Sequence, residues 1–355
     1  MHSSEVTRIE VACVAQAAKL LEAGGLVAFP TETVYGLGAD AENPSAIAAI
    51  YAAKGRPANH PVIVHLSPEA NLEYWVESVP SEAQRLIAAF WPGPLTLILK
   101  RAAHIPAAVS GGQDSIGVRC PSHPVAQALL RAFKHGQGGI AAPSANKFGR
   151  VSPTTAQHVR DEFASELADG GVIAAVLDGA QCDVGIESTI LDLTRLATHG
   201  PVLLRPGHIR IDQLAAVLGV VPVLADVADK ATPRASGTLA SHYAPRTPVL
   251  VVAIDDVAEL LGQLHAAQRR VAYLHYTNDS SRSESVNVCA DLCLPEDAEL
   301  FAQGLYAGLR QLDAVNADVI VVQALPATPD WLGVNDRLRR AAHDSVGIVA
   351  SLLPT

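Results

Sequence analysis

Apolar residues recur at helical spacing through Val11, Val14, Ala15, Ala18, Leu20 and Leu21, and the Gly24-Gly25 pair ends the period. A first helix is predicted there. LVAFP (26–30) is short, apolar and closed by proline, which predicts a buried strand. NPSAIAAIYAAKGRP (43–57) predicts a second helix, with Asn43 as cap and Pro44 near its first position. PVIVHL is strand-like, and SPEANLEYWV and PSEAQRLIAAFWPGP look like capped helices. LTLILK, SIGVRCP, GIAAPSAN, GVIAAVLDG and STILDLT are further short strands, broken by Gly, Pro and Asn. Helices alternate with strands, so residues 1–220 read as an α/β domain.

Between 221 and 248 the periodicity stops. Small residues, prolines and polar groups alternate there without a sustained period, as in an inter-domain linker. Regular patterning returns over 249–355. VLVVAI, VAYLHY and ADVIVVQAL read as strands, and DDVAELLGQLHAAQRR and PEDAELFAQGLYAGLRQLDAV as helices between them. That alternation is similar to a doubly wound parallel sheet, so the second domain is expected to be Rossmann-like α/β.

Composition agrees with two cored domains: 355 residues, 49% hydrophobic and 17% charged. The formal net charge of −10 argues against a protein that coats nucleic acid by bulk charge, so any polyanion must meet a local basic site. The five cysteines form no CxxC pair and no Cys/His cluster has zinc spacing, which suits reduced thiols in a cytoplasmic protein. The N-terminal stretch lacks an apolar core of signal-peptide type. No segment approaches the run of about 18 apolar residues a membrane span needs, so no membrane partner is expected.

Common enzyme signatures are absent. There is no G-x-x-x-x-G-K-[ST] loop, no G-x-G-x-x-G between strand and helix, no G-x-S-x-G and no H-E-x-x-H. Four polar clusters remain. FPTETVYGLGAD offers Thr31, Glu32 and Thr33 after a buried strand, with Gly36 and Gly38 free to let backbone approach a ligand. AAKGRPANHP holds Lys54 and Arg56 one glycine apart, which suits either a solvated helix end or a grip on one polyphosphate; His65 lies in the strand behind it. SIGVRCP and APSANKFGRVSPT supply Arg119, Ser144, Asn146, Ser152 and Thr154. GIEST and LLRPG supply Ser188, Thr189 and Arg205 at strand ends. Together they place hydroxyls, amides and four cations at loop positions of one α/β domain, the make-up of an anionic-ligand pocket.

FPTETVYGLGADA, KGRP with PVIVH, SIGVRCP, APSAN and ESTILD resemble, in order and spacing, the YrdC-like L-threonylcarbamoyladenylate synthases. The ASGTLASHYAPRTP segment and the α/β domain after it resemble the long two-domain form. The resemblance implies a twisted YrdC-like α/β domain with an open basic pocket. It implies synthesis of threonylcarbamoyl-AMP and pyrophosphate from L-threonine, bicarbonate or CO2, and ATP with Mg2+. The product serves threonylcarbamoyladenosine modification of tRNA beside the anticodon, through downstream transferase proteins and with room for a weak tRNA contact. By the family pattern, Lys54, Arg56, Ser115, Ser144, Asn146, Ser152, Arg205 and Tyr243 fall on the ATP side. Thr31, His65, Arg119 and Ser188 fall on the threonine side, and His242 and Tyr243 in a lid over 221–248. No protein nucleophile is expected, because a carbamate oxygen of the substrate attacks the α-phosphorus.

A binding module for structured RNA is the rival reading. The acidic total and the 5% aromatic content count against it.

Overall fold

The computed structural model describes residues 3–225, 232–277, 288–345 and 347–353, with side chains from residue 13 onward. Part of the expected linker, 226–231, therefore lies outside the described residues. The chain divides into two compact units. One holds residues 1–148, 153–183 and 187–238; the other holds 149–152, 184–186 and 239–355.

The strands of the first unit are β1 (Leu26–Phe29), β2 (Gly36–Asp40), β3 (Ile63–Leu66), β4 (Leu95–Lys100), β5 (Ser115–Arg119), β6 (Gly139–Ala141), β7 (Ile173–Val176), β8 (Thr189–Asp192), β9 (Val202–Arg205) and β10 (Val223–Leu224). Its helices are α1 (Ser3–Glu22), α2 (Pro44–Lys54), α3 (Leu72–Trp75), α4 (Ser81–Phe90), α5 (Pro124–Ala132), α6 (Ala156–Glu162), α7 (Ala164–Leu167), α8 (Leu196–His199) and α9 (Ile211–Leu218). The strands form one mixed sheet in the order β10-β9-β8-β4-β5-β3-β6-β2-β1-β7. Parallel pairs (β3 with β5, β4 with β8) alternate with antiparallel ones (β4 with β5, β3 with β6).

Strand alternation sorts the two faces. Val64, Leu66, Leu95, Leu97, Leu99, Ile116, Val118 and Leu191 point into a core shared with Leu86 of α4 and Leu214 and Leu218 of α9. The intervening positions, among them His65, Thr96, Gly117 and Arg119, point the other way. Directly opposed residues share a face, so His65 lies beside Ile140, which packs with Val27, Phe29 and α5. One face thus changes along the sheet from apolar at β1 and β6 to polar at β3, β5 and β4.

Two local readings are corrected. GLGAD is a strand, not a ligand-approach loop: a Cβ on Gly38 would stand 2.8 Å from the Phe29 ring and 2.9 Å from Ile140, so its missing side chain serves packing. SPEANLEYWV forms a single turn, Leu72–Trp75, capped by Asn71. The helices α5 and α6 lie in stretches that the pattern left unread.

The second unit contains β11 (Val249–Val252), β12 (Val271–His275), β13 (Ala290–Cys293) and β14 (Val319–Gln323), with α10 (Ile254–Ala266), α11 (Ala298–Asp313), α12 (Leu332–Ala341) and α13 (Ile348–Leu352). All three pairings are parallel, as expected. The order is β11-β14-β12-β13, with β14 inserted between the first two strands, which departs from the Rossmann sequence of neighbours. Val257, Leu261 and Leu264 of α10 pack on Tyr273, Val319 and Val321.

Candidate functional site

The helix α2 brings the first cation in. Asn43 accepts from the backbone N–H groups of Ser45 and Ala46, and Pro44 opens the helix. Gly55, at φ 62°, ends it, with its N–H donated to Ala52 and the next N–H, of Arg56, donated to Tyr51. The stop is this left-handed glycine and not Pro57. The turn directs both cations inward: Lys54 is 2% exposed and Arg56 7%. A solvated helix end is excluded. Lys54 Nζ donates to the carbonyl oxygens of Ser144, at 2.5 Å, and Asn146. Burial, with the charges of Arg56 and Lys147 added, holds its pKa well below the usual lysine range. Arg56 Nη2 donates to the Pro61 carbonyl at 2.8 Å and to Ser236 Oγ at 3.3 Å. Its guanidinium sits 6.0 Å from the Phe148 ring centre. His60, unassigned from sequence, meets the same ring edge-on at 5.4 Å.

A second group surrounds Ser188, one residue before β8. Its hydroxyl lies 2.8 Å from Thr96 Oγ1. Arg205 donates to the Ser188 carbonyl from Nε at 3.1 Å and Nη2 at 2.8 Å, and from Nη1 to the Ser236 carbonyl at 2.7 Å. A register shift between Ile190 and Leu191 sets Arg205 opposite Ile190, on the polar face. Ala235 packs with Ile98, Ile190, Val202 and Leu204, seating the 232–238 segment beside Ser115.

The third group gathers around Arg119, which is 3% exposed. Its Nε donates to Gly93 O at 3.3 Å, its Nη1 to Thr33 Oγ1 at 2.9 Å, and its Nη2 lies 2.7 Å from Glu32 Oε1. Thr31 Oγ1 lies 2.8 Å from Thr33 Oγ1 and donates to Val34 O at 2.6 Å. His65 pairs with Arg119 across β3 and β5 and meets Phe29 edge-on at 6.0 Å. Burial first, then the Arg119 charge, push the His65 pKa down to about 3, so the ring is neutral. The Cys120 thiol is buried and burial pushes its pKa up to about 12, as in an inert structural thiol.

Thus Thr31, Lys54, Arg56, His65, Ser115, Arg119, Ser144, Asn146, Ser188 and Arg205 all belong to the first unit. Ser152 and Tyr243 belong to the second. There Tyr243, at φ 62°, lies 5.7 Å from the Tyr306 ring and beneath the Arg337 guanidinium at 5.4 Å. Sequence reasoning left Thr96 and Ser236 unassigned, and named Glu32 and Thr33 without a role. Thr96 carried a signal, the one hydroxyl in an otherwise apolar strand run; Ser236, in a stretch without period, carried none.

A family profile described as "Telomere recombination" matches residues 19–207. A second, described as "Threonylcarbamoyl-AMP synthase, C-terminal domain", matches 209–343. The threonylcarbamoyl-AMP synthase of Pyrococcus abyssi is 36% identical over 343 residues, covering 94% of this chain and 95% of its own. The chain belongs to the threonylcarbamoyl-AMP synthase family. The Bacillus subtilis member is 38% identical over 339 residues, covering 94% of each chain. A crystal structure of Pyrococcus abyssi Sua5 complexed with L-threonine superposes with a TM-score of 0.82 at 35% identity, covering 93% of this chain and 94% of that one.

This is the long two-domain form of the family, and its reaction forms threonylcarbamoyl-AMP in an ATP-consuming synthesis that serves threonylcarbamoyladenosine in tRNA. Chemically the product joins an amino acid carbamate to an adenylate, so the site must present two anionic substrates to each other. Among the described residues no helix is long and apolar enough to cross a membrane.

Proposed function

We propose that the polar face of the first unit is an open basic pocket divided between the two substrates. Lys54, Arg56, Ser115, Ser144, Asn146 and Arg205 take the ATP side; Thr31, His65, Arg119 and Ser188 take L-threonine. The observation that carries this division is the burial of Lys54 beside Arg56, with the Lys54 ammonium on neutral carbonyl oxygens. A buried cation held that way is stabilised by an arriving anion. The threonine complex of the Pyrococcus abyssi relative supports an amino acid site in this fold.

The carbamate of threonine, formed with bicarbonate or CO2, sets one oxygen against the α-phosphorus. That P–O bond forms as the bond to the β-phosphate oxygen breaks, and pyrophosphate leaves. The protein positions the two anions, and Lys54 and Arg56 offset the developing charge. Among the described residues no group of three or more His, Cys, Asp or Glu is arranged to hold a metal. Magnesium enters with the nucleotide substrate, which it commonly accompanies through phosphate oxygens.

Residues 1–220 form the catalytic domain, 221–248 a linker and lid, and 249–355 a Rossmann-like domain; the parallel strands of the last support that likeness. The contact of Ser236 with both Arg56 and Arg205 supports the lid. A closing lid keeps water from the carbamate and the mixed anhydride. Cytoplasmic transferase proteins would take the product on to tRNA, and a weak tRNA contact of this chain fits that handover. The test is threonine- and bicarbonate-dependent pyrophosphate release from MgATP by the folded protein. Its abolition in Arg56→Ala, with fold retained, is expected; near-normal turnover would refute the phosphate role.

A further inference from the structure

Glu32 is 4% exposed, yet neither of its carboxylate oxygens accepts a hydrogen bond from a described residue. Its Oε1 has the charge of Arg119 Nη2 at 2.7 Å, and that nitrogen likewise donates no hydrogen bond of good geometry. Buried carboxylates ordinarily collect donors. A counter-ion role toward Arg119 accounts for Oε1 and leaves Oε2 without a donor. His65 beside them is neutral, and its buried Nδ1 also lacks a partner among the described residues.

The local charge is therefore one cation and one anion, both out of water and both with hydrogen-bonding capacity to spare. A phosphate would meet repulsion from Glu32 here. At Arg56 and Arg205 the hydrogen bonds described above go to neutral oxygens of Pro61, Ser188 and Ser236. A zwitterion fits the Glu32–Arg119 pair, its carboxylate to the guanidinium and its ammonium to the carboxylate.

We propose that Glu32 receives the α-ammonium group of the amino acid and takes its proton, making it a specificity-determining and catalytic residue. The inference rests on Arg119 as the partner of the amino acid carboxylate. In the step, the N–H bond of the ammonium breaks and an O–H bond forms on Glu32, which leaves a neutral amine. The amine lone pair bonds to the carbon of CO2, one C=O electron pair moves to oxygen, and the remaining extra N–H proton passes to water. The carbamate that results is anionic at nitrogen's new substituent, and a protonated Glu32 no longer repels it.

The test compares L-threonine with 2,3-dihydroxybutanoate, which replaces the ammonium by a hydroxyl. Binding of each is measured by calorimetry to wild type and Glu32→Gln, with ATP affinity as the control for fold. Wild type is expected to favour L-threonine by about tenfold or more, as a charge-assisted hydrogen bond provides. Glu32→Gln should erase that preference, weakening threonine while leaving the hydroxy acid unchanged, and should lower turnover by about a hundredfold or more. Equal losses for both ligands would reduce Glu32 to a support for Arg119 and overturn the proposal. Should Glu32→Gln not fold, equal binding of the two ligands by wild type overturns it alone. Absence of threonine binding to folded wild type would instead remove the underlying assignment of Arg119.

Discussion

The Arg205 guanidinium donates to the carbonyl oxygen of Ser236 at 2.7 Å, while Arg56 reaches the hydroxyl of the same residue at 3.3 Å. A single residue of the segment after the sheet thus meets two of the cations assigned to ATP. On the proposed ATP side, arriving phosphate oxygens would compete with its oxygens for these two guanidinium groups.

Nucleotide binding should therefore loosen or re-seat residues 232–238. Amide hydrogen exchange across that segment is expected to change when MgATP is added to the wild-type protein, and to change less in Arg205→Ala. Identical exchange with and without nucleotide would place the phosphates elsewhere.

Lys54→Ala leaves the carbonyl oxygens of Ser144 and Asn146 without their ammonium donor. Pyrophosphate release should fall by about a hundredfold or more, the scale of removing one preorganised donor from a developing anion. Lys54→Arg should not restore it, because a planar fork does not fit a point-charge site. Steady-state kinetics with a circular-dichroism melt separates this loss from unfolding.

The same lysine predicts proton linkage. Its pKa is depressed in the empty site, by burial first and by Arg56 next. An arriving triphosphate favours the charged form and raises that pKa. ATP binding should then take up protons, and affinity should fall as pH rises through the depressed value. Calorimetry in buffers of different ionisation enthalpy reads the uptake directly. Lys54→Met should abolish it.

His65 predicts an acid limit on stability. Its folded pKa of about 3 lies below the ordinary histidine value of 6.5. The unfolded chain therefore binds the extra proton between those values. Stability is fully present above about pH 6.5 and declines as pH falls toward about 3, by up to about 1.4 kcal/mol per pH unit. Urea unfolding at pH 7 and pH 5 should show the decline in wild type and a shallower one in His65→Phe.

Several elements were legible because periodicity and chain-end chemistry agreed. Asn43 and Pro44 mark the start of α2, and the structure finds the Asn43 side chain on the N–H groups it was expected to cap. The strand β2 was not legible. Its glycines oppose strand formation in isolation, and only the approach of Phe29 and Ile140 explains them. Pairing direction was hidden as well, since alternation says which residues share a face and nothing about neighbours. At the site, Lys54 and Arg56 were visible as a pair of cations. Their inward course depends on the left-handed turn at Gly55 and on distant carbonyls at 144 and 146, which no local pattern encodes. Glu32 stood in plain sight between two threonines; its significance comes from Arg119, 87 positions away.

The most direct test of the divided pocket is a crystal structure with L-threonine and a non-hydrolysable ATP analogue bound together. The account predicts phosphate oxygens within hydrogen-bond distance of Lys54 and Arg56, and the threonine carboxylate on Arg119 near Thr31 and Ser188. Phosphates on Arg119, or threonine on Lys54 with Arg119 still closed on Glu32, would contradict it.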